Sequence, residues 1–175
     1  MLRPYRDARP IVDPSAFVDQ SAQIIGDVHI GAESSVWMNA VVRGDVHTIR
    51  IGARTNLQDG VIVHVMRGTH ATVIGDDVTI GHGVIVHGCT IEDTCLIGMG
   101  VILLNGCRIG TGSIVAAGTL VPEGMQVPPG SLVMGVPGRV RRPVRDDEAS
   151  SIPAYARRYV QYRLDYQTPD APVAP

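Results

Sequence analysis

Aliphatic residues recur every sixth position along most of this chain, at Val12, Val18, Ile24, Ile30, Val36 and Val42. A nine-residue step then reaches Ile51, followed by Leu57 and Val63. An eleven-residue step reaches Ile74, with Ile80 and Val86 behind it, and a five-residue step reaches Ile91. From there Ile97, Leu103, Ile109, Val115, Val121, Val127 and Val133 follow at strict spacing. Small or β-branched residues such as Ala16, Ala22, Val28, Ser34, Ala40 and Thr55 sit four positions after most of these anchors. A fixed short period of this kind predicts a β-solenoid, with anchors inward on each strand and compact residues at each corner. It does not fit an amphipathic helix of period 3.6.

The period ends at Gly135-Val136-Pro137-Gly138, which sets a β domain at 1–138. Residues 139–150 read as a charged connector, with Arg139, Arg141, Arg142 and Arg145 ahead of Asp146, Asp147 and Glu148. A helix over 151–167 should follow, capped by Ser150 or Ser151 with Pro153 in its first turn. Tyr155, Tyr159, Tyr162 and Tyr166 fall on one stripe of that helix, predicted to pack on the outside of the solenoid. The Pro-rich end, 168–175, reads as a disordered tail.

If three repeats close one coil, residues at equal offsets three repeats apart are vertical neighbours. His64 and His87 each follow an anchor by one, three repeats apart, so they share a column with Arg43. Being next to inward anchors, they face outward. His82 follows its anchor by two and lies on the preceding face, in a column with Asp59 and Met99. It should not reach the His64/His87 pair within one chain. A three-fold trimer would bring the two columns together, so that three nitrogen ligands with open positions resemble a catalytic zinc site. Arg43 of one chain would then meet Asp59 of the next, with Gln58 beside the metal.

Composition narrows the alternatives. The 175 residues suit one core, and a formal net charge of −2 gives no electrostatic case for nucleic acid. No apolar run predicts a signal peptide or a membrane span. Cys89, Cys95 and Cys107 lack paired metal spacing and read as packing residues in a reducing, cytoplasmic setting.

The six-residue period resembles the hexapeptide-repeat proteins, which implies an all-β, left-handed parallel β-helix with three faces per coil. Within that group, Arg43-Gly44-Asp45, Asn56-Leu57-Gln58-Asp59-Gly60, His64, Gly81-His82 and His87-Gly88-Cys89 resemble the signature of gamma-class carbonic anhydrases. The resemblance implies a homotrimer with zinc between subunits, iron or cobalt being alternative occupants, held by His64, His82 and His87. It implies reversible hydration of carbon dioxide to bicarbonate by metal-bound hydroxide. Gln58 is expected at the metal-bound solvent, and Arg43, Asp45 and Asp59 in an intersubunit ion-pair network. Asn56 and Tyr159 join the candidate catalytic set without an assigned step. The short loop Val65-Met66-Arg67-Gly68-Thr69-His70, and Val46 after Asp45, resemble the subtype lacking the acidic proton-shuttle loop, leaving His70 or His47 as relay candidates. Two further readings compete: a hexapeptide-repeat acyltransferase or thioesterase using a coenzyme A ester, and a weakly catalytic scaffold or metal-binding protein.

Overall fold

The computed structural model describes residues 1–168. The six-residue units fold into short strands, most of them two or three residues long, wound into a left-handed parallel β-helix of about seven coils. Three inward ladders of aliphatic residues run its length. Ile24, Val42, Val63, Val86, Leu103 and Val121 form one. Val12, Ile30, Ile51, Ile74, Ile91, Ile109 and Val127 form the second. Val18, Val36, Leu57, Ile80, Ile97, Val115 and Val133 form the third. The middle members are fully buried, each worth roughly 1.5–3 kcal/mol of burial. Cys89, Cys95 and Cys107 are free and buried among them, as packing residues would be.

The three irregular steps all fall at one corner, between the first ladder and the second. There the strand Val41–Ile51 runs through the extra residues of the first step with a register irregularity at Gly26/Val28 opposite it. The second step bulges out as a small loop closed by a Met66–His70 bridge. The third is one residue short and turns at Gly88, whose φ is 58°.

The connector differs from the sequence expectation. Gly138–Pro143 is a strand, paired antiparallel with Ser131–Gly135, so β structure continues beyond residue 138. The cause is the open edge of the last coil: its backbone groups need partners, and the chain folds back to supply them.

The helix also begins earlier than 151, and spans Asp146–Gln167. Arg145, in an extended conformation, ends the connector, and its N–H donates to the Glu148 carboxylate at 2.9 Å. Asp146, Asp147 and Glu148 place negative charge in the first turn, where the helix dipole favours it. Ser150 and Ser151 therefore lie inside the helix, bonded back to the carbonyls of Asp147 and Glu148, and Pro153 is interior too. The expectation for the tail falls on residues outside the described ones, apart from Thr168.

At about 1.5 Å per residue the 22-residue helix is about 33 Å long, close to seven coils at about 4.8 Å each. It runs back along the third ladder's face to the first coils. There Arg163 donates to the Ser15 carbonyl at 2.8 Å and pairs with Glu33 at 3.2 Å. Tyr159 and Tyr166 pack edge-on against Trp37, with ring centroids at 5.5 and 5.0 Å. Tyr162 packs edge-on against Tyr159 at 5.5 Å rather than on Trp37, so only two members of the predicted stripe reach that ring.

The helix start gives a pH test. Hydrogen bonds from Arg142, then from the Arg145 N–H, hold the Glu148 carboxyl at about 2, below its ordinary 4.5. A folded-state value below the unfolded one means the stabilisation is complete above about pH 4.5 and is lost as pH falls toward about 2. The emission of Trp37, the only tryptophan, reports helix docking and should shift through that window. Glu148→Gln should lose the acid-dependent part of the shift. An identical acid profile in the variant would remove Glu148 from the account.

Candidate metal centre

The pairing of Val63 with Val86 carries His64 directly opposite His87 on adjacent coils. Both side chains point outward and are half-buried. His64 Nδ1 and His87 Nε2 face each other at 3.2 Å. Their other ring nitrogens are engaged: His64 Nε2 with Asp45 Oδ1 at 2.9 Å, and His87 Nδ1 with Asn105 Oδ1 at 2.8 Å. Arg43, in register below His64, grips the second Asp45 oxygen. Burial alone would raise the Asp45 carboxyl, but the hydrogen bonds and charges of His64 and Arg43 outweigh it and hold it below its ordinary value.

That carboxylate only accepts hydrogen bonds, so the His64 nitrogen facing it carries the proton and Nδ1 turns a lone pair toward His87. Zn–N bonds of about 2.0–2.1 Å at a tetrahedral angle place two ligand nitrogens about 3.3–3.4 Å apart. The observed 3.2 Å lies close to this, and each imidazole has the acceptor on its far side that metal-ligating histidines use. The donor set therefore fits a divalent metal.

The other candidates gather on the third ladder's face. His82 stacks over Asp59 and its Nδ1 meets Asp59 Oδ2 at 2.9 Å, which leaves Nε2 free. Gln58 donates through its amide nitrogen to Asn56 Oδ1 at 3.2 Å, and Asn56 in turn donates to Thr79 Oγ1 at 3.0 Å. The helix borders this face, leaving a half-open cleft of about 430 Å³ lined by Gln58, His82, Met99, Arg158 and Tyr159, with Ile97 and Ala116 as apolar wall. Burial, followed by the nearby Asp59 charge, pushes the Tyr159 phenol above its ordinary value.

The structure thus brings Arg43, Asp45, His64 and His87 together on one face, and Asn56, Gln58, Asp59, His82 and Tyr159 on another. Among the described residues no three metal-ligating side chains converge within one chain. Arg43 is engaged with Asp45 and Asp59 with His82, both inside the same chain. Val46 packs against the core. His70 lies at the irregular corner, bonded to Thr69, where a Cβ added to Gly106 would sit 3.1 Å from its Nε2. Asn105 was not found by column counting, because it follows its anchor by two and His87 follows its own by one. The coil that crosses the short step is 17 residues long, from Val86 to Leu103, so Asn105, 18 residues beyond His87, sits one position off the column.

Residues 88–123 match the bacterial transferase hexapeptide (six repeats) family. A carbonic anhydrase of Geobacillus kaustophilus is 45% identical over 161 residues, covering 92% of this chain and 88% of that protein. Gamma carbonic anhydrase 1, mitochondrial, of Arabidopsis thaliana is 47% identical over 158 residues, and the match covers 87% of this chain but only 58% of the plant protein's length. A crystal structure of a hexapeptide transferase family protein from Anaplasma phagocytophilum superposes with a TM-score of 0.92 at 39% identity, covering 95% of this chain and 98% of that one. No helix among the described residues is long and apolar enough to cross a membrane. With 45% identity to a carbonic anhydrase along nearly the full length of both chains, carried on a hexapeptide-repeat β-helix, the chain belongs to the gamma-class carbonic anhydrase family.

Proposed function

We propose that this protein is a trimeric, metal-dependent carbonic anhydrase that interconverts carbon dioxide and bicarbonate. His64 and His87 of one subunit and His82 of the next would hold the metal, zinc first, with iron or cobalt as alternatives. The observation that carries this reading is the pair of imidazole nitrogens 3.2 Å apart, with Asp45 behind one ring and Asn105 behind the other. Exposed apolar side chains flank both histidine columns, Ile62 (44% exposed) beside His64 and Met99 (58%) above His82. Apolar exposure rimmed by polar groups marks association surfaces, which supports bringing the two columns together between subunits.

When bound, a divalent metal lowers the pKa of a coordinated water from 15.7 to about 7 and so supplies the nucleophile at neutral pH. The chain's own residues do the rest. Asp45 and Asp59 hold the rings of His64 and His82 in place. Asn56 fixes the amide of Gln58, which hydrogen-bonds and orients solvent at the cleft floor. The apolar wall of Ile97, Met99 and Ala116 suits an uncharged substrate with no hydrogen-bond donors. Arg43 restrains Asp45 and keeps it ionised. The transferase family match favours acyl transfer from a coenzyme A ester as a second reading, with thioester consumption as its assay.

Sharing of the metal between subunits has a direct test by complementation. His64→Ala and His82→Ala, each alone, should fold and lose the metal, because the histidines face outward and the aliphatic ladders supply the core. Co-expressed, they should form mixed trimers in which an intact His64/His87 pair meets an intact His82, and metal content should recover in part. Mixed trimers as empty as either parent would rule the sharing out.

Asp45→Ala should weaken metal binding about 10–100-fold, the usual cost of removing a carboxylate behind a ligating histidine. Competition titration against a chromophoric chelator measures this, and an unchanged affinity would exclude Asp45 from the support of His64.

Hydration releases a proton each cycle, and Val46 and the short loop offer no carboxylate to take it. Stopped-flow turnover should therefore rise with imidazole buffer concentration while kcat/KM for carbon dioxide stays flat. His70→Ala should slow turnover in dilute buffer if that side chain relays protons. Turnover insensitive to buffer would count against limiting export, and no hydration with any metal would favour the scaffold reading.

A further inference from the structure

A second layer stands behind His87. Asn105 and Glu123 lie on the next two coils, each 18 residues beyond the last, at the same corner. Asn105 Oδ1 meets His87 Nδ1 at 2.8 Å, and Asn105 Nδ2 donates to Glu123 Oε1 at 3.2 Å. Gly88 makes the first contact sterically possible, since a Cβ built there would collide with the Asn105 amide oxygen.

Two ends compete for the order of donors and acceptors along this row: the His64 Nδ1 lone pair, 3.2 Å from His87 Nε2, would accept a hydrogen from that nitrogen, while Glu123 acts from the outer end. An ionised glutamate has no proton to donate, so the Asn105 NH2 must face it. The amide oxygen then faces His87, and an oxygen accepts only if His87 Nδ1 carries the hydrogen. His87 Nε2 is left with its lone pair, aimed at the gap shared with His64. A free imidazole has no such bias; here an exposed carboxylate two coils away supplies one, in favour of Nδ1–H.

We propose that Glu123, acting through Asn105, is a positioning residue that selects the metal-ready tautomer of His87. The proposal rests on the reading of His87 as a ligand, but its first consequence, the tautomer, exists without metal. Neither residue touches the reacting atoms.

The test uses full-length protein labelled with 15N-histidine, metal-free, at a pH where the ring is neutral. Long-range 1H–15N correlation spectra read the tautomer, and Co2+ titration followed by visible absorption reads the affinity. Wild-type His87 should be the Nδ1–H form. Glu123→Lys replaces an acceptor with a donor on an exposed site, so the Asn105 amide should turn over and His87 should switch to Nε2–H. Co2+ affinity should then fall about 10–100-fold, the range for lost outer-layer partners of a ligating histidine. Asn105→Asp in the Glu123→Lys background should restore both, because a carboxylate there accepts from Nδ1–H and pairs with the new lysine. A merely structural or long-range charge effect would lower affinity without moving the tautomer. An Nε2–H wild type, or a tautomer unmoved by both Glu123→Lys and Asn105→Ala, would overturn the proposal. A switched tautomer with unchanged Co2+ affinity would overturn its link to the metal. If wild type binds no Co2+ while the tautomer still follows Glu123, the metal reading fails and the relay stands.

Discussion

Everything at this centre depends on the registry between coils, and that registry is held by the inward aliphatic ladders. Val63 over Val42 and Val86 over Val63 leave no freedom in what the next residue outward meets. His64 and His87 are opposed because their neighbours are packed. Slipping one strand by a single residue would bury an imidazole and expose a valine, since successive side chains alternate between faces. Burial worth roughly 1.5–3 kcal/mol per aliphatic residue resists that slip at every coil. The site can therefore sit half-exposed, on polar side chains that contribute little to the core, and still be placed by a rigid support.

The regular part of the solenoid supplies rigidity, and one corner supplies the variety. All three departures from the six-residue step occur where the first ladder turns into the second. The long step after Val42 delivers Asp45 to the far side of His64. The longer one after Val63 sends out the loop that ends at His70, and Thr72 just beyond it donates to the His64 carbonyl at 2.6 Å, pinning the strand end. The short step after Val86 brings the chain round at Gly88 tightly enough for Asn105 to reach His87. Insertions and a deletion confined to one edge change the polar surroundings of the histidines without touching the other two faces.

This explains what could be read from the sequence. With three faces per coil taken from the hexapeptide resemblance, anchor counting placed all twenty anchors in their ladders, though not Ile49 and Val65 of the irregular corner, and kept His82 apart from His64 and His87. The polar groups behind the histidines were only partly legible. Asp45 came from the family signature, whereas Asn105 and Glu123 were missed. The short step shifts His87 to a different offset from theirs, so a fixed-offset column does not contain all three. The helix start was misread for another reason. Arg139 to Glu148 looked like a solvated connector by composition, yet Gly138–Pro143 had an unpaired coil edge to cover and Glu148 had the Arg145 N–H to accept. Both demands come from tertiary neighbours, which periodicity does not encode. The tyrosine stripe was right in placement and half right in use, since only Tyr159 and Tyr166 find the Trp37 ring.

The two faces of the chain also divide the chemistry. On the first, Asp45 and the Asn105 amide oxygen each face one ring nitrogen, and in the proposed tautomers this leaves two lone pairs opposed across 3.2 Å. Opposed lone pairs repel, and only a shared proton or a cation relieves them. On the other face, Asp59 faces one nitrogen of His82, and the second has no partner among the described residues. A single subunit thus presents two nitrogens that want a cation and, elsewhere, a third that cannot reach them. A cation bound at the first face, as proposed, would be coupled to the folded registry that opposes the rings and would stabilise the fold by mass action. If His82 is the third ligand, as proposed, completing the coordination would require a second copy of the chain, which would tie metal occupancy to assembly and leave a separated subunit with only two of the three ligands.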